Sequence, residues 1–134
     1  MTATQFIPLA LECYAEEKGD PTDPVFALMY ERFPALSHFR SDDNSWENYM
    51  MQEIIGNLLQ YAEDPDTALI TIKDMTSHHQ LIGVPMDVFK GFYSTLLEVL
   101  EPSFSAAQHD DMLAAWQQAV NSIQQCIERH QGTY

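Results

Sequence analysis

Of the five histidines in the chain, His79 holds the position that most demands a chemical explanation. It falls seven residues after Ile72 and four after Met75, so helical geometry sets it on the apolar stripe of its helix, one turn before Gly83. An imidazole on a buried face needs a hydrogen-bond partner or a metal. Spacing alone admits both a satisfied core histidine and a ligand. His78 cannot share a metal with His79, because adjacent helical residues point about 100° apart. His38 precedes a loop, His109 lies in the first turn of the final helix and His130 near a terminus, so solvation accounts for all three.

Other catalytic templates find no residues. The glycines at 19, 56, 83, 91 and 132 are isolated, which leaves no phosphate-cradling loop. There is no His-Glu-x-x-His motif and no Glu-x-x-His pair for zinc or di-iron chemistry. Asp42-Asp43 and Asp110-Asp111 read as solvated caps or helix starts. Cys13 and Cys126 give no Cys-x-x-Cys or zinc spacing and read as reduced thiols.

The elements that must position His79 are all helical. The first spans about Thr4 to Lys18, with Phe6, Leu9, Ala10, Cys13 and Tyr14 on one face and Gly19 as a left-handed stop. Asp23-Pro24 predicts an N-cap and first-turn proline for a second helix carrying Val25, Phe26, Met29, Tyr30 and Phe33. Pro34 ends or redirects that helix, a short turn runs through Leu36 and Phe39, and Arg40 to Ser45 is a loop. A third helix spans Trp46 to Ala62, capped by Asp43, Asn44 or Ser45, with Trp46, Met50, Ile54, Leu58 and Tyr61 recurring at helical intervals. Asp64-Pro65 starts the helix of His79, which stops at Gly83-Val84-Pro85. Pro85 to Leu100 buries Val88, Phe89, Phe92, Leu96 and Leu100. Ser105 and Gln108 predict a capping box for the last helix, which carries Leu113, Trp116, Val120, Ile123 and Ile127. The fold class is all-α: about six crossing helices plus a short turn, packed as one bundle in a single domain over residues 1–134.

Composition narrows the partners. Twenty acidic residues against six Lys and Arg leave a formal charge of -14, so the basic patch that nucleic-acid binding requires is missing, and an anionic membrane surface is equally unfavourable. The 46% apolar share and the aromatic complement argue for a packed core rather than disorder. No run reaches the roughly 20 apolar residues of a membrane span, and Met1-Thr2-Ala3-Thr4-Gln5 lacks a leader's basic start, so a cytoplasmic protein is expected.

His79-Gln80-Leu81-Ile82-Gly83-Val84 has the H-x-x-x-G-V spacing found at the end of the haem-proximal helix of globins. Phe26 lies eight residues before Pro34, Phe39 follows that proline at the corner, and Leu97-Glu98-Val99-Leu100 precedes a final helix bearing Ala115-Trp116. In this order the residues resemble a bacterial or neuroglobin-like globin of three-over-three type, over nearly the whole chain. The resemblance implies haem b held by His79 as the proximal metal ligand, whose other ring nitrogen donates to a carbonyl one turn earlier, near Met75. It also implies Phe39 as the porphyrin wedge, Phe26 and Ile54 on the distal side with Met50 at the distal position, Val84 and Phe89 against the cofactor, and Arg40 toward a propionate.

This chain departs from the family pattern at Met50, where a thioether offers no hydrogen-bond donor. Tyr30 or Tyr49 could supply a hydroxyl instead, or the Met50 sulfur could become a sixth iron ligand; simple packing is the third alternative. Cations for the propionates are scarce, with Arg40, Lys73 and Lys90 the candidates. The resemblance thus implies binding or sensing of a diatomic gas (O2, NO or CO). Redox chemistry such as nitric oxide scavenging would need an external reductase, and a homodimer through the last two helices is common in this kind of fold. The rival is a haem-free globin-like scaffold that acts in signalling through a partner or a lipid.

Overall fold

A computed structural model describes residues 3–39 and 45–131. Six α-helices carry the chain: α1 (Ala3–Lys18), α2 (Thr22–Arg32), α3 (Ser45–Glu63), α4 (Pro65–Leu81), α5 (Met86–Leu100) and α6 (His109–His130). A 3-10 segment, Pro34–Phe39, follows α2, and two short ones, Glu101–Ser103 and Ala106–Gln108, lead into α6. The described residues contain no strand. The expected all-α class is what the chain adopts. Arg40 and the candidate caps Asp43 and Asn44 lie outside the described residues.

Local chemistry sets the boundaries. Gly19 and Gly83 adopt φ of 85° and 86°, the left-handed region that costs a side chain about 1–2 kcal/mol, and each stands just past a helix end. Asp64 caps α4 as expected: its carboxylate accepts from the Thr67 backbone N–H at 3.4 Å and from the Thr67 hydroxyl at 2.7 Å. These bonds hold the Asp64 carboxyl below its ordinary pKa.

Two expected caps are corrected. Helix α2 begins at Thr22, not after Asp23, because the Asp20 carboxylate accepts from both the Thr22 backbone (2.8 Å) and its hydroxyl (2.6 Å). Pro24 is then the third helical residue, where a missing N–H removes no intrahelical bond. Ser105 makes no side-chain cap bond either. Its carbonyl instead accepts from Gln108 at 3.0 Å to close a 3-10 turn, and α6 starts at His109 with Asp110 and Asp111 in its favourable first turn.

Periodicity decides the packing. On α6, Met112, Trp116, Ala119, Val120, Ile123 and Ile127 face a core shared with α1, α4 and α5. Helix α3 packs on α4 and α1, and α2 packs across α5. At that last crossing a Cβ on Gly91 would stand 2.9 Å from Phe33 Cε2, so glycine admits the ring. Buried side chains from every helix join one hydrophobic cluster. Cys13 and Cys126 are free thiols, and no described helix is long and apolar enough to cross a membrane.

Candidate functional site

The site is built where α3 faces the end of α4. The stop at Gly83 leaves His79 in the last turn of α4, and the Val84 N–H donates to the His79 carbonyl at 2.9 Å, fixing the departing chain. His79 is 5% exposed. Its Nδ1 lies 2.7 Å from the Met75 carbonyl oxygen. A carbonyl only accepts, so Nδ1 carries the proton and Nε2 is left as the ring's acceptor, the state an imidazole needs to bind a metal. Phe89 of α5 stacks on the ring, with centroids 4.5 Å apart and planes 12° from parallel.

Two cavities meet at His79. The larger, about 390 Å³, runs between α3 and α4 and is lined by Tyr49, Met50, Glu53, Asp74, Met75, His78, His79 and Ile82. The smaller, about 230 Å³, is lined by Leu36, Phe39, Trp46, Met50, His79, Ile82, Val84, Phe89 and Phe92. Met50, His79 and Ile82 border both. The larger volume is within the range of small-molecule sites, roughly 300–1,000 Å³, and the smaller falls below it. Phe39 (40% exposed), Tyr49 (63%) and Ile82 (54%) are large apolar or aromatic side chains left open to water around the two cavities, while Leu59, Ile70 and Leu81 are exposed without lining either. Singly they would mean little; grouped around a concave site they mark a surface that an apolar ligand would cover.

The structure brings together His79, Met75, Met50, Phe39, Val84 and Phe89. Phe26 and Ile54 line neither cavity. Phe26 packs behind the wall, edge-on to Trp46 and Phe92 with centroids 5.3 Å away in each case, and Ile54 is fully buried. Arg40 is outside the described residues. Lys73 and Lys90 also line neither cavity, and Lys90 is held by Glu128 of α6 at 3.3 Å. Tyr30 lines neither cavity, and its hydroxyl donates to the buried Glu47 at 3.2 Å. Tyr49 does border the larger cavity, and the adjacent Glu53 carboxylate raises its phenol pKa.

Sequence reasoning missed Trp46, Ile82 and Phe92 as wall residues, and Asn57 altogether. Trp46 and Phe92 were legible only as core spacing, and Ile82 only as part of the stretch between His79 and Gly83. Asn57, 6% exposed, broke the apolar stripe of α3 and could have been flagged as a buried polar residue needing partners.

No family model matches the chain, and no solved structure matches it.

Proposed function

We propose that the protein is a globin-like haem protein in which His79 ligates the iron of haem b and a diatomic gas is bound or sensed. The observation that carries this reading is the Nδ1-to-Met75 carbonyl bond, which commits the proton to one ring nitrogen and leaves Nε2 as a ligand at the junction of two cavities. The helix pairings α2–α5, α5–α6, α1–α6 and α3–α4 support a globin-like arrangement, with α3 and α4 on the two sides of the site.

The residues fit the group at the iron and at the ring. Phe39, Val84, Phe89 and Met50 offer apolar contact for a macrocycle, and His79 offers the lone pair. Haem iron would supply a position for the gas and the capacity for electron transfer. The chain's own contribution is to hold the imidazole in one tautomer, to exclude water with the buried Phe89 and Phe92, and to set at Met50 a thioether that offers no donor, with the Tyr49 phenol further along the wall of the larger cavity. Dioxygen facing Met50 then lacks a hydrogen bond from that residue against dissociation, and carbon monoxide, less dependent on one, is favoured in comparison.

A second reading rests on the larger cavity, whose wall, among the described residues, carries Glu53 and Asp74 but no lysine or arginine. Such a wall repels a dianionic porphyrin and suits a haem-free scaffold that binds a protein partner or a neutral lipid. Titration of the purified protein with hemin separates the two. A sharp Soret band that is lost in His79→Ala supports the haem reading; its absence in the wild type overturns it. A six-coordinate ferrous spectrum that becomes five-coordinate in Met50→Leu assigns Met50 as the sixth ligand.

A further inference from the structure

We propose that Asn57 of α3 is a positioning residue for His79, acting through Met75 and Tyr93 in a closed circuit of five residues. The Asn57 amide donates one proton to the Tyr93 hydroxyl at 2.9 Å and the other to the Met75 sulfur at 3.3 Å. The Met75 carbonyl accepts the His79 Nδ1 proton at 2.7 Å. Phe89 stacks on His79, and Tyr93 meets Phe89 edge-on with centroids 6.0 Å apart, which returns the circuit to Asn57.

Each member has little freedom. Tyr93 and Phe89 are fully buried, and burial pushes the Tyr93 phenol far above its ordinary pKa, so its hydroxyl stays neutral as an acceptor for the amide. An asparagine in this position spends both amide protons, and losing it would leave a buried hydroxyl without its donor. The consequence falls on the imidazole. With the Met75 side chain tethered to α3, the carbonyl one turn before His79 keeps its aim, and the stacked Phe89 sets the plane of the ring. Asn57 thereby couples α3, on one side of the site, to the tautomer and azimuth of a ring on the other.

The link to iron rests on the haem reading, whereas the link to the tautomer does not. The test therefore reads the ring first, in protein without haem. Isotope-labelled histidine and two-bond proton–nitrogen correlation spectra report which ring nitrogen carries the proton, with His79→Gln assigning the signals. The wild type is expected to show protonated Nδ1. Asn57→Leu, and Met75→Leu, which keeps apolar volume and removes the sulfur acceptor, are expected to populate the Nε2-protonated form. Leu58→Ala, a core truncation on the same helix, is expected to lower the melting temperature and leave the His79 pattern unchanged.

Should Asn57→Leu fail to fold, Met75→Leu and Tyr93→Phe decide. Wild-type patterns in every folded variant overturn the proposal, as does the same mixed pattern in Leu58→Ala. In the haem-loaded protein the positioning variants should bind hemin more weakly, by up to about tenfold, the lower end of the loss seen when the partner of a metal-bound histidine is removed outright. A wild type that binds no hemin sinks the haem reading while the ring spectra still decide the role of Asn57.

Discussion

The His79 imidazole donates from Nδ1 to the Met75 carbonyl at 2.7 Å, so one α-helical turn both supplies the candidate ligand and fixes its proton. That bond is local to α4. What surrounds it comes from α3 and α5, and the expected behaviour of the site follows from those neighbours.

Met50 borders both cavities at His79 and brings no N–H or O–H. Met50→His adds a donor there. One added hydrogen bond of about 1.4 kcal/mol corresponds to a tenfold change, so dioxygen should leave the ferrous haem-loaded variant about ten times more slowly, while carbon monoxide dissociation changes less. Flash photolysis and stopped-flow mixing measure both rates. Equal slowing of the two gases would argue for a steric effect instead.

Glu53 and Asp74 stand on the wall of the larger cavity. On the haem reading, Glu53→Lys would offer a cation in place of an anion to a propionate reaching this wall. A half-exposed pair contributes up to about 1 kcal/mol, so hemin affinity should rise about fivefold at low salt, and the gain should shrink as salt screens the pair. Hemin titrations at two ionic strengths check it, and Glu53→Gln should fall between the two.

Gly83 holds φ at 86° directly after the turn that bears His79. Gly83→Ala forces a side chain into that region at a cost of about 1–2 kcal/mol. Urea unfolding should register the loss. The His79 carbonyl accepts from the next residue, Val84, so hemin affinity should also fall in this variant.

Asp64 caps α4 from the surface, and its folded-state pKa lies below the unfolded value because Thr67 donates twice to the carboxylate. A lowered folded pKa means the contribution is present above the unfolded pKa and is lost as pH falls through the folded one. Asp64→Ala should therefore melt at a lower temperature than wild type near neutrality, with the gap closing below about pH 4. Thermal melts across that range measure it. Asp64→Asn, which retains the acceptor, should keep most of the stability with a weaker pH dependence.

Much of the architecture was legible because helix punctuation is local. Gly19, Asp64-Pro65 and Gly83 stop and start the chain using only their own backbone or a residue three positions away. The misread caps were local too, but they involved competing acceptors: Asp20 reached Thr22 before Asp23 could act, and Ser105 closed a 3-10 turn through its carbonyl in place of its hydroxyl. Sequence spacing could not rank those choices, because each differs from its rival by about one hydrogen bond.

For the site, the amino-acid sequence alone determined that His79 lies on the apolar stripe of α4, one turn from its end, with Met75 one turn before it. That spacing puts the Met75 carbonyl within reach of the His79 ring. Only the tertiary structure decided that Phe89 stacks on the ring, that Asn57 reaches both Met75 and Tyr93, and that Phe26 and Ile54 lie behind the wall instead of on it. Periodicity tells which face of a helix is buried, but residues on one buried face are divided between cavity and core by where the neighbouring helices cross, and no single helix encodes that crossing.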